Sequence, residues 1–139
     1  MRKNGSRLLS ILLAAAWLPR AVADEAPPVR SPLPADARHV IDLVHAAAAT
    51  RDEDRLRRVM TPRFKVGFGP DGDTDPDHAL AAWRADPRMF EALARVTADA
   101  CEAITDTFVA CPANAGPELR AGFERESGRW RMSSFLGGD

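Results

Sequence analysis

Two alternating runs of residues near the C-terminus, joined by a short turn, constrain this chain most. Apolar and polar side chains alternate from Leu119 to Arg125, and they alternate again from Trp130 to Leu136. The residues between the runs, 126–129 (ESGR), are typical of a turn, so the pattern predicts an antiparallel hairpin. One face of this hairpin is apolar and has to be covered by another part of the chain.

The second run also predicts which side chains point inward. Trp130, Met132, Ser134 and Leu136 fall on one face at a spacing of two. Three of them are apolar, so we expect this face to pack against the first helix. Ser134 is the polar break in the set. It either leaves room at the base of a pocket or lies near the rim of the sheet.

Helices in the N-terminal half are predicted to supply the cover. Residues 35–50 place apolar side chains on one face at helical spacing, and a second, short helix is expected to end at Pro62. Phe64, Val66 and Phe68 then alternate with polar residues and glycine, which predicts a half-buried strand. The expected class is therefore α+β, with N-terminal helices packed on a small curved antiparallel sheet.

The stretch GPDGDTDPDHALAAW, residues 69–83, has an aspartate at every second position. Asp71, Asp73 and Asp75 match the first ligand positions of a calcium loop, and they are a weak metal candidate. Proline stands where that loop needs glycine, and Ala82 stands where it needs glutamate. The pattern therefore favours an acidic turn before a helix over a metal site.

Aspartate followed by proline occurs twice in this region, at residues 75–76 and 86–87. Aspartate is a favoured N-cap, and proline is favoured at the first helical position. Each pair therefore predicts the start of a helix, with Asp75 and Asp86 as the caps.

The first 23 of the 139 residues have the three parts of a secretory signal peptide: basic residues, an apolar run at 8–18 and the small residues Ala21-Val22-Ala23. The run is too short to span a membrane, so no stable anchor is expected after cleavage. We expect a Pro-rich arm at 24–34 and a single domain at 35–139, located in the bacterial periplasm or secreted.

Removing this leader takes four of the 19 basic residues and leaves 15 against 20 acidic ones, a net charge of −5. Such a balance argues against nucleic acid as the main partner. Cys101 and Cys111 are the two cysteines of the chain, and an oxidising compartment favours a disulfide between them over two buried thiols.

The order of elements resembles that of NTF2-like or cystatin-like α+β domains. The stretch TPRFKVGFGPDGDTDPDHALAAW and the closing LRAGFERESGRWRMSSFLGGD are also similar to uncharacterised exported bacterial proteins that end in W-R-x-x-x-F-x-x-G-D. Longer relatives carry an SH3-like segment between the halves, and residues 109–118 are too few to hold one. The resemblance covers about 70 residues and implies export and fold, without a known activity.

No nucleophile–base or metal-ligand motif stands out, and no cofactor is expected. The sequence leans away from an enzyme and towards a non-catalytic module that binds a small ligand or an envelope protein. The resemblance leaves two alternatives open: an enzyme that uses an Asp–His acid/base pair from Asp75, Asp77 and His78, or a secreted inhibitor or envelope accessory protein. The candidate pocket lining is Trp83, Phe90, Trp130, Met132 and Ser134.

Overall fold

Four helices lie on one face of a six-stranded sheet in the computed structural model, which describes residues 32–114, 116 and 118–137. The predicted leader and residues 24–31 of the predicted arm lie outside these residues. The helices are α1 (Ala35–Thr50), α2 (Glu53–Val59), α3 (Pro76–Ala85) and α4 (Arg88–Ala98). The strands are β1 (Met60–Lys65), β2 (Asp73–Thr74), β3 (Glu102–Ala103), β4 (Phe108–Cys111), β5 (Leu119–Glu126) and β6 (Arg129–Gly137).

The strand order is β2-β1-β6-β5-β4-β3, and neighbouring strands are antiparallel except for β1 and β6. The predicted α+β class is confirmed, and so is the β5–β6 hairpin. The parallel pair makes the sheet mixed, because the chain returns to β1 only after two helices and four further strands. Within the described residues, no helix is both long and apolar enough to cross a membrane.

One of the two predicted helix caps is present, and a further helix has an aspartate cap that was not predicted. The carboxylate of Asp75 accepts a hydrogen bond from the backbone N–H of His78 at 2.8 Å, and Asp52 caps α2 in the same way through Arg55 at 3.0 Å. The predicted cap at Asp86 is wrong. Its carboxylate instead accepts two hydrogen bonds from the guanidinium of Arg88, at 2.8 and 3.1 Å, so α4 begins without a side-chain cap.

The predicted bounds of β1 also need correction. The second helix ends at Val59, and Met60 already lies in the strand, so Pro62 stands inside β1 and does not mark the end of the helix. Phe64 is fully buried as predicted, but Val66 and Phe68 lie beyond the strand and are 41% and 65% exposed. The chain leaves the sheet after Lys65, so the alternation that the sequence shows no longer decides which side chains are buried.

The inward face of β6 changes partway along the strand. Phe123 pairs with Met132 and Gly122 pairs with Ser134, so Ser133 is an extra residue that forms a β-bulge. Trp130 and Met132 point into the core as predicted, but after the bulge Phe135 takes the inward position. Ser134 and Leu136 therefore face the other side of the sheet, and the single inward face predicted for the whole strand is wrong.

Aromatic rings fill the space between the sheet and the helices around Trp83. Its indole makes edge-to-face contacts with Phe64, Phe90 and Phe135, at centroid distances of 5.8, 6.0 and 5.5 Å. Contacts of this geometry add to the stabilisation from burial alone. All four side chains are at most 3% exposed, so this side of the sheet is a packed core.

The predicted disulfide is confirmed: Cys101 and Cys111 are bonded, with Cα atoms 4.4 Å apart. Cys101 directly precedes β3, and Cys111 ends β4. Because Glu102 pairs with Ala110 in the antiparallel ladder, the two cysteines occupy the next opposed positions. The bridge therefore closes the open end of the β3–β4 hairpin, at the edge of the sheet.

Candidate binding cleft

A cleft of about 640 Å³ lies on the sheet face opposite the helices. It is built by the outward-facing side chains of β1, β4, β5 and β6, together with the loop Gly67–Gly69. These side chains face outward because their neighbours along each strand, such as Phe64, Val109 and Phe123, are buried in the core. The volume falls within the range of small-molecule sites, about 300–1,000 Å³.

The floor of the cleft is a row of three small residues on neighbouring strands. Ser134 pairs with Gly122, and Gly122 pairs with Ala110, so the three lie side by side across β6, β5 and β4. A Cβ atom on Gly122 would lie 2.3 Å from the Ser134 Oγ and 3.0 Å from the Phe108 Cζ. Any side chain at this position would have to displace the Ser134 hydroxyl and crowd the Phe108 ring, so the local packing favours glycine.

Larger side chains stand on either side of this row and turn it into a trough. Arg120 and Leu136 pair with each other on one side, and Phe108 and Glu124 pair on the other. The difference in size between these pairs and the central row creates the concave shape. Because the floor belongs to three hydrogen-bonded strands, the trough has a rigid base.

Charged groups of both signs reach the cleft. Lys65 pairs with Ser134 in the parallel ladder, so it stands at the end of the floor. Arg120 donates one hydrogen bond from Nη2 to the carbonyl of Ala113 at 3.1 Å, and its Nε is buried without a partner in the described structure. Glu124 and Glu126 line the opposite part of β5.

One pair of charges in the cleft is already neutralised. The guanidinium of Arg63 lies 2.5 Å from the carboxylate of Asp73, which joins β1 to β2 at the edge of the cleft. No ion pair among the described residues includes Lys65, Arg120, Glu124 or Glu126. These four charges are therefore available to a ligand.

The rim of the cleft carries an exposed aromatic ring. Phe68 stands between Gly67 and Gly69, and the loop is closed by a hydrogen bond from the N–H of Val66 to the carbonyl of Gly72 at 2.9 Å. Gly69 has a φ of 81°, a conformation that glycine adopts without strain. The tight loop holds Phe68 away from the core and beside the cleft.

The carboxyl groups with lowered pKa lie on the helical side of the molecule. The pKa of Glu53 is lowered by hydrogen bonds from the guanidinium of Arg84, which donates to both carboxylate oxygens at 3.0 and 2.5 Å. The pKa of Asp86 is lowered by its hydrogen bonds with Arg88. Both pairs are solvent-exposed ion pairs, which contribute little to stability, and the first joins α3 to α2.

The predicted pocket residues separate into two groups. Trp83, Phe90, Trp130 and Met132 are core residues, between 0% and 5% exposed, and none of them lines the cleft. Ser134 does line it, on the opposite face of the sheet. The sequence predicts a pocket on the face of the sheet towards the first helix, whereas Ser134 lines a cleft on the other face.

The aspartates of the weak calcium candidate are engaged separately. Asp73 pairs with Arg63, and Asp75 caps α3, while Asp71 lies exposed in a short 3₁₀ turn. No group of three or more His, Cys, Asp or Glu side chains in the described part of the chain is placed to hold a metal ion. An acidic turn followed by a capped helix accounts for this stretch.

Sequence reasoning missed most of the cleft. In the sequence, two alternating strands simply have non-apolar residues at these positions, which are Lys65, Arg120, Gly122 and Glu124. Their outward alternation in LRAGFERE was visible in the sequence, but it does not reveal which strands lie beside each other. The available signal was the glycine in the middle of a strand, which often marks a close approach of another group.

Comparison with solved structures gives matches to chains named as NTF2 or NTF2-like, with TM-scores below 0.5. A chain named as an NTF2 variant is 20% identical over 73% of this chain and 96% of its own, with a TM-score of 0.43. An NTF-2 like protein of unknown function from Shewanella oneidensis is 11% identical. The match covers 75% of this chain and 97% of that protein, with a TM-score of 0.42. An NTF2-like protein with a cystatin-like fold from Novosphingobium aromaticivorans is 17% identical. The match covers 73% of this chain and 77% of that protein, with a TM-score of 0.39.

No protein-family model and no curated protein matches the chain. The structural matches are similarities of layout, and no residue role is carried from them to this chain. The relation to exported proteins with the closing W-R-x-x-x-F-x-x-G-D motif stays a prediction. The last two residues of that motif, 138 and 139, lie outside the described structure.

Proposed function

We propose that this chain is an exported, non-catalytic module that binds a small ligand in the cleft on the outer face of its sheet. The observation that carries the proposal is the trough itself, where small floor residues lie between charged side chains that have no ion-pair partner in the described structure. A concave site with a few convergent polar groups is the usual form of a ligand site.

The enzyme alternative depended on an Asp–His pair around His78. The carboxylate of Asp75 is occupied by the backbone N–H of His78, and the carboxylate of Asp77 pairs with Arg57. Neither acid is therefore positioned on the imidazole ring of His78 as a general base would require. The geometry of these residues favours a structural role at the start of α3.

A protein partner is the second candidate, and Phe68 is the observation that favours it. Its ring is 65% exposed beside the cleft, and exposed aromatic residues are enriched at the centres of protein interfaces. An inhibitor or envelope accessory protein would use Phe68 as an anchor. Phe68→Ser would then abolish binding of the protein partner, whereas a small ligand held by the floor and the charged side chains would lose only its contacts with the Phe68 ring.

Native mass spectrometry of the exported protein tests the ligand-binding proposal. We expect a small-molecule adduct on the wild-type protein that is lost in Ser134→Leu, because the larger side chain fills the floor. Ala46→Leu is the matched control, since it adds a larger apolar side chain on the exposed face of α1. Lys65→Glu is a second variant, at an exposed position where folding is not at risk. An adduct that survives both cleft variants would refute the proposal.

The intact mass of the same preparation tests export. Cleavage after Ala23 leaves a chain that begins at Asp24, with the two cysteines oxidised. The disulfide supports an oxidising compartment, because such bonds persist in periplasmic and secreted proteins. A mass that still includes residues 1–23 would contradict export by a cleaved signal peptide.

A further inference from the structure

We propose that the ligand is a short linear zwitterion of about tripeptide to tetrapeptide length, with a free carboxylate and a free ammonium group. This inference rests on the proposed function of the cleft. The carboxylate lies on the Arg120 side of the trough, within reach of Lys65 at the end of the floor row, and the ammonium group lies on the Glu124 and Glu126 side.

The order of charges along β5 gives the ligand its direction. Arg120, Gly122, Glu124 and Glu126 follow each other at every second position, so they share the outer face of one strand. The strand therefore places a cation on one side of the trough and anions on the other, with the small floor residue between. Lys65 adds a second cation, in the same cross-strand row as Gly122.

The separation of the charges sets the length. Arg120 and Glu124 are four residues apart, which corresponds to about 13 Å along a strand. An extended chain of four residues spans at most about 13–14 Å. A single amino acid is too short to reach both sides, and a tripeptide or tetrapeptide can do so.

The balance of charges favours a zwitterion over a simple anion or cation. Arg63 and Asp73 neutralise each other, and the remaining lining charges are two cations and two anions. A purely anionic ligand would cover the two glutamates without pairing them, and a purely cationic ligand would do the same to Lys65 and Arg120. Burying such charges without partners is costly.

The arginines of β6 do not satisfy the two glutamates. Arg131 stands opposite Glu124 and Arg129 opposite Glu126 in the β5–β6 ladder. Neither arginine forms an ion pair with the facing carboxylate in the described part of the chain. The glutamates line the cleft, whereas these two arginines do not, so the carboxylates remain open to an ammonium group.

Calorimetric titration with tetra-alanine tests the inference, using four forms of the peptide: free, N-acetylated, C-amidated and blocked at both ends. Hydrogen bonds to charged groups contribute about 1.5–3 kcal/mol. We therefore expect each single block to weaken binding about tenfold or more, and the double block to abolish it. Equal binding of the free and doubly blocked peptides would overturn the inference.

Charge-removing variants identify which end binds which group. Lys65→Met should reduce the loss caused by C-terminal amidation, because Arg120 remains, while acetylation weakens binding as in the wild type. The double variant Glu124→Gln/Glu126→Gln removes both anions, so it should make binding insensitive to acetylation while amidation still weakens it. These three side chains are exposed, so folding should be unaffected. Arg95→Met and Glu91→Gln are the matched controls on α4, and both should bind like the wild type. A control that loses the peptide as strongly as the cleft variants would overturn the assignment.

The outcomes separate this inference from the proposed function. If tetra-alanine fails to bind but a cleft-dependent adduct is seen in native mass spectrometry, the zwitterion is wrong and the binding function stands. If neither is seen, both fail. If the wild type is a dimer in sedimentation and Ser134→Leu is a monomer, a second copy covers this face and the inference is overturned.

Discussion

Gly122 is the residue on which the shape of the cleft depends. Its missing side chain lets the Ser134 hydroxyl and the Phe108 ring approach the middle of β5. Glycine inside a strand is destabilising by roughly 0.5–1 kcal/mol relative to alanine. The space that it leaves is used by two neighbours, and this offsets the cost.

Gly122→Ala should therefore destabilise the protein, although alanine is normally the better residue in a strand. The new Cβ would lie 2.3 Å from the Ser134 Oγ, and overpacking of this kind costs about 1–3 kcal/mol. The cost should be smaller when Ser134→Ala is also present, because that change removes the Oγ. Urea unfolding of the wild type, both single variants and the double variant measures this coupling. Strictly additive effects would contradict the close contact.

The elements differ in how far the sequence alone could predict them. The β5–β6 hairpin and the start of α3 were predictable, because alternation, a turn and the Asp75 cap are local signals. The inward face of β6 was not, because the bulge at Ser133 shifts the period of two by one residue. The cleft floor was not predictable either, since it requires the register of three strands. Ser134 was found only because a polar residue interrupts an apolar face.

Two neighbouring residues of β6 test the position of the bulge. Phe135 is 1% exposed among the core aromatic rings, so Phe135→Ala should cost about 3–5 kcal/mol. Leu136 is half-buried on the cleft side, so Leu136→Ala should cost only about 1 kcal/mol, less than the value for a fully buried leucine. Thermal and urea unfolding compare the two. The reverse order would place Leu136 in the core and remove the bulge.

The disulfide acts on the β3–β4 hairpin at the edge of the sheet. It closes a loop with a sequence separation of 10 residues, and the chain-entropy estimate for such a loop is about 2–3 kcal/mol. Cys101→Ala/Cys111→Ala should lower the free energy of unfolding by that amount. Reduction of the wild type should give a similar loss, and an unchanged unfolding midpoint in both experiments would contradict a stabilising bridge.

At the scale of the whole molecule, the two faces of the sheet have different roles. On the helical face, aromatic side chains pack around Trp83 and form the core. The opposite face keeps a trough with charges of both signs. The core thus stabilises the sheet that presents the cleft, and the proposed binding would require no rearrangement of the helices.

Amide chemical-shift mapping tests the central claim, that the outer face of the sheet binds a small ligand. Isotopically labelled protein would be refolded to remove any bound ligand and titrated with the low-molecular-weight fraction of the host's periplasm. We expect the amide signals of Lys65, Gly122 and Ser134 to shift, while those of Ile41 and Leu93 in the helices stay unchanged. Shifts confined to α1 and α4, or no shift at the cleft, would contradict the proposed site.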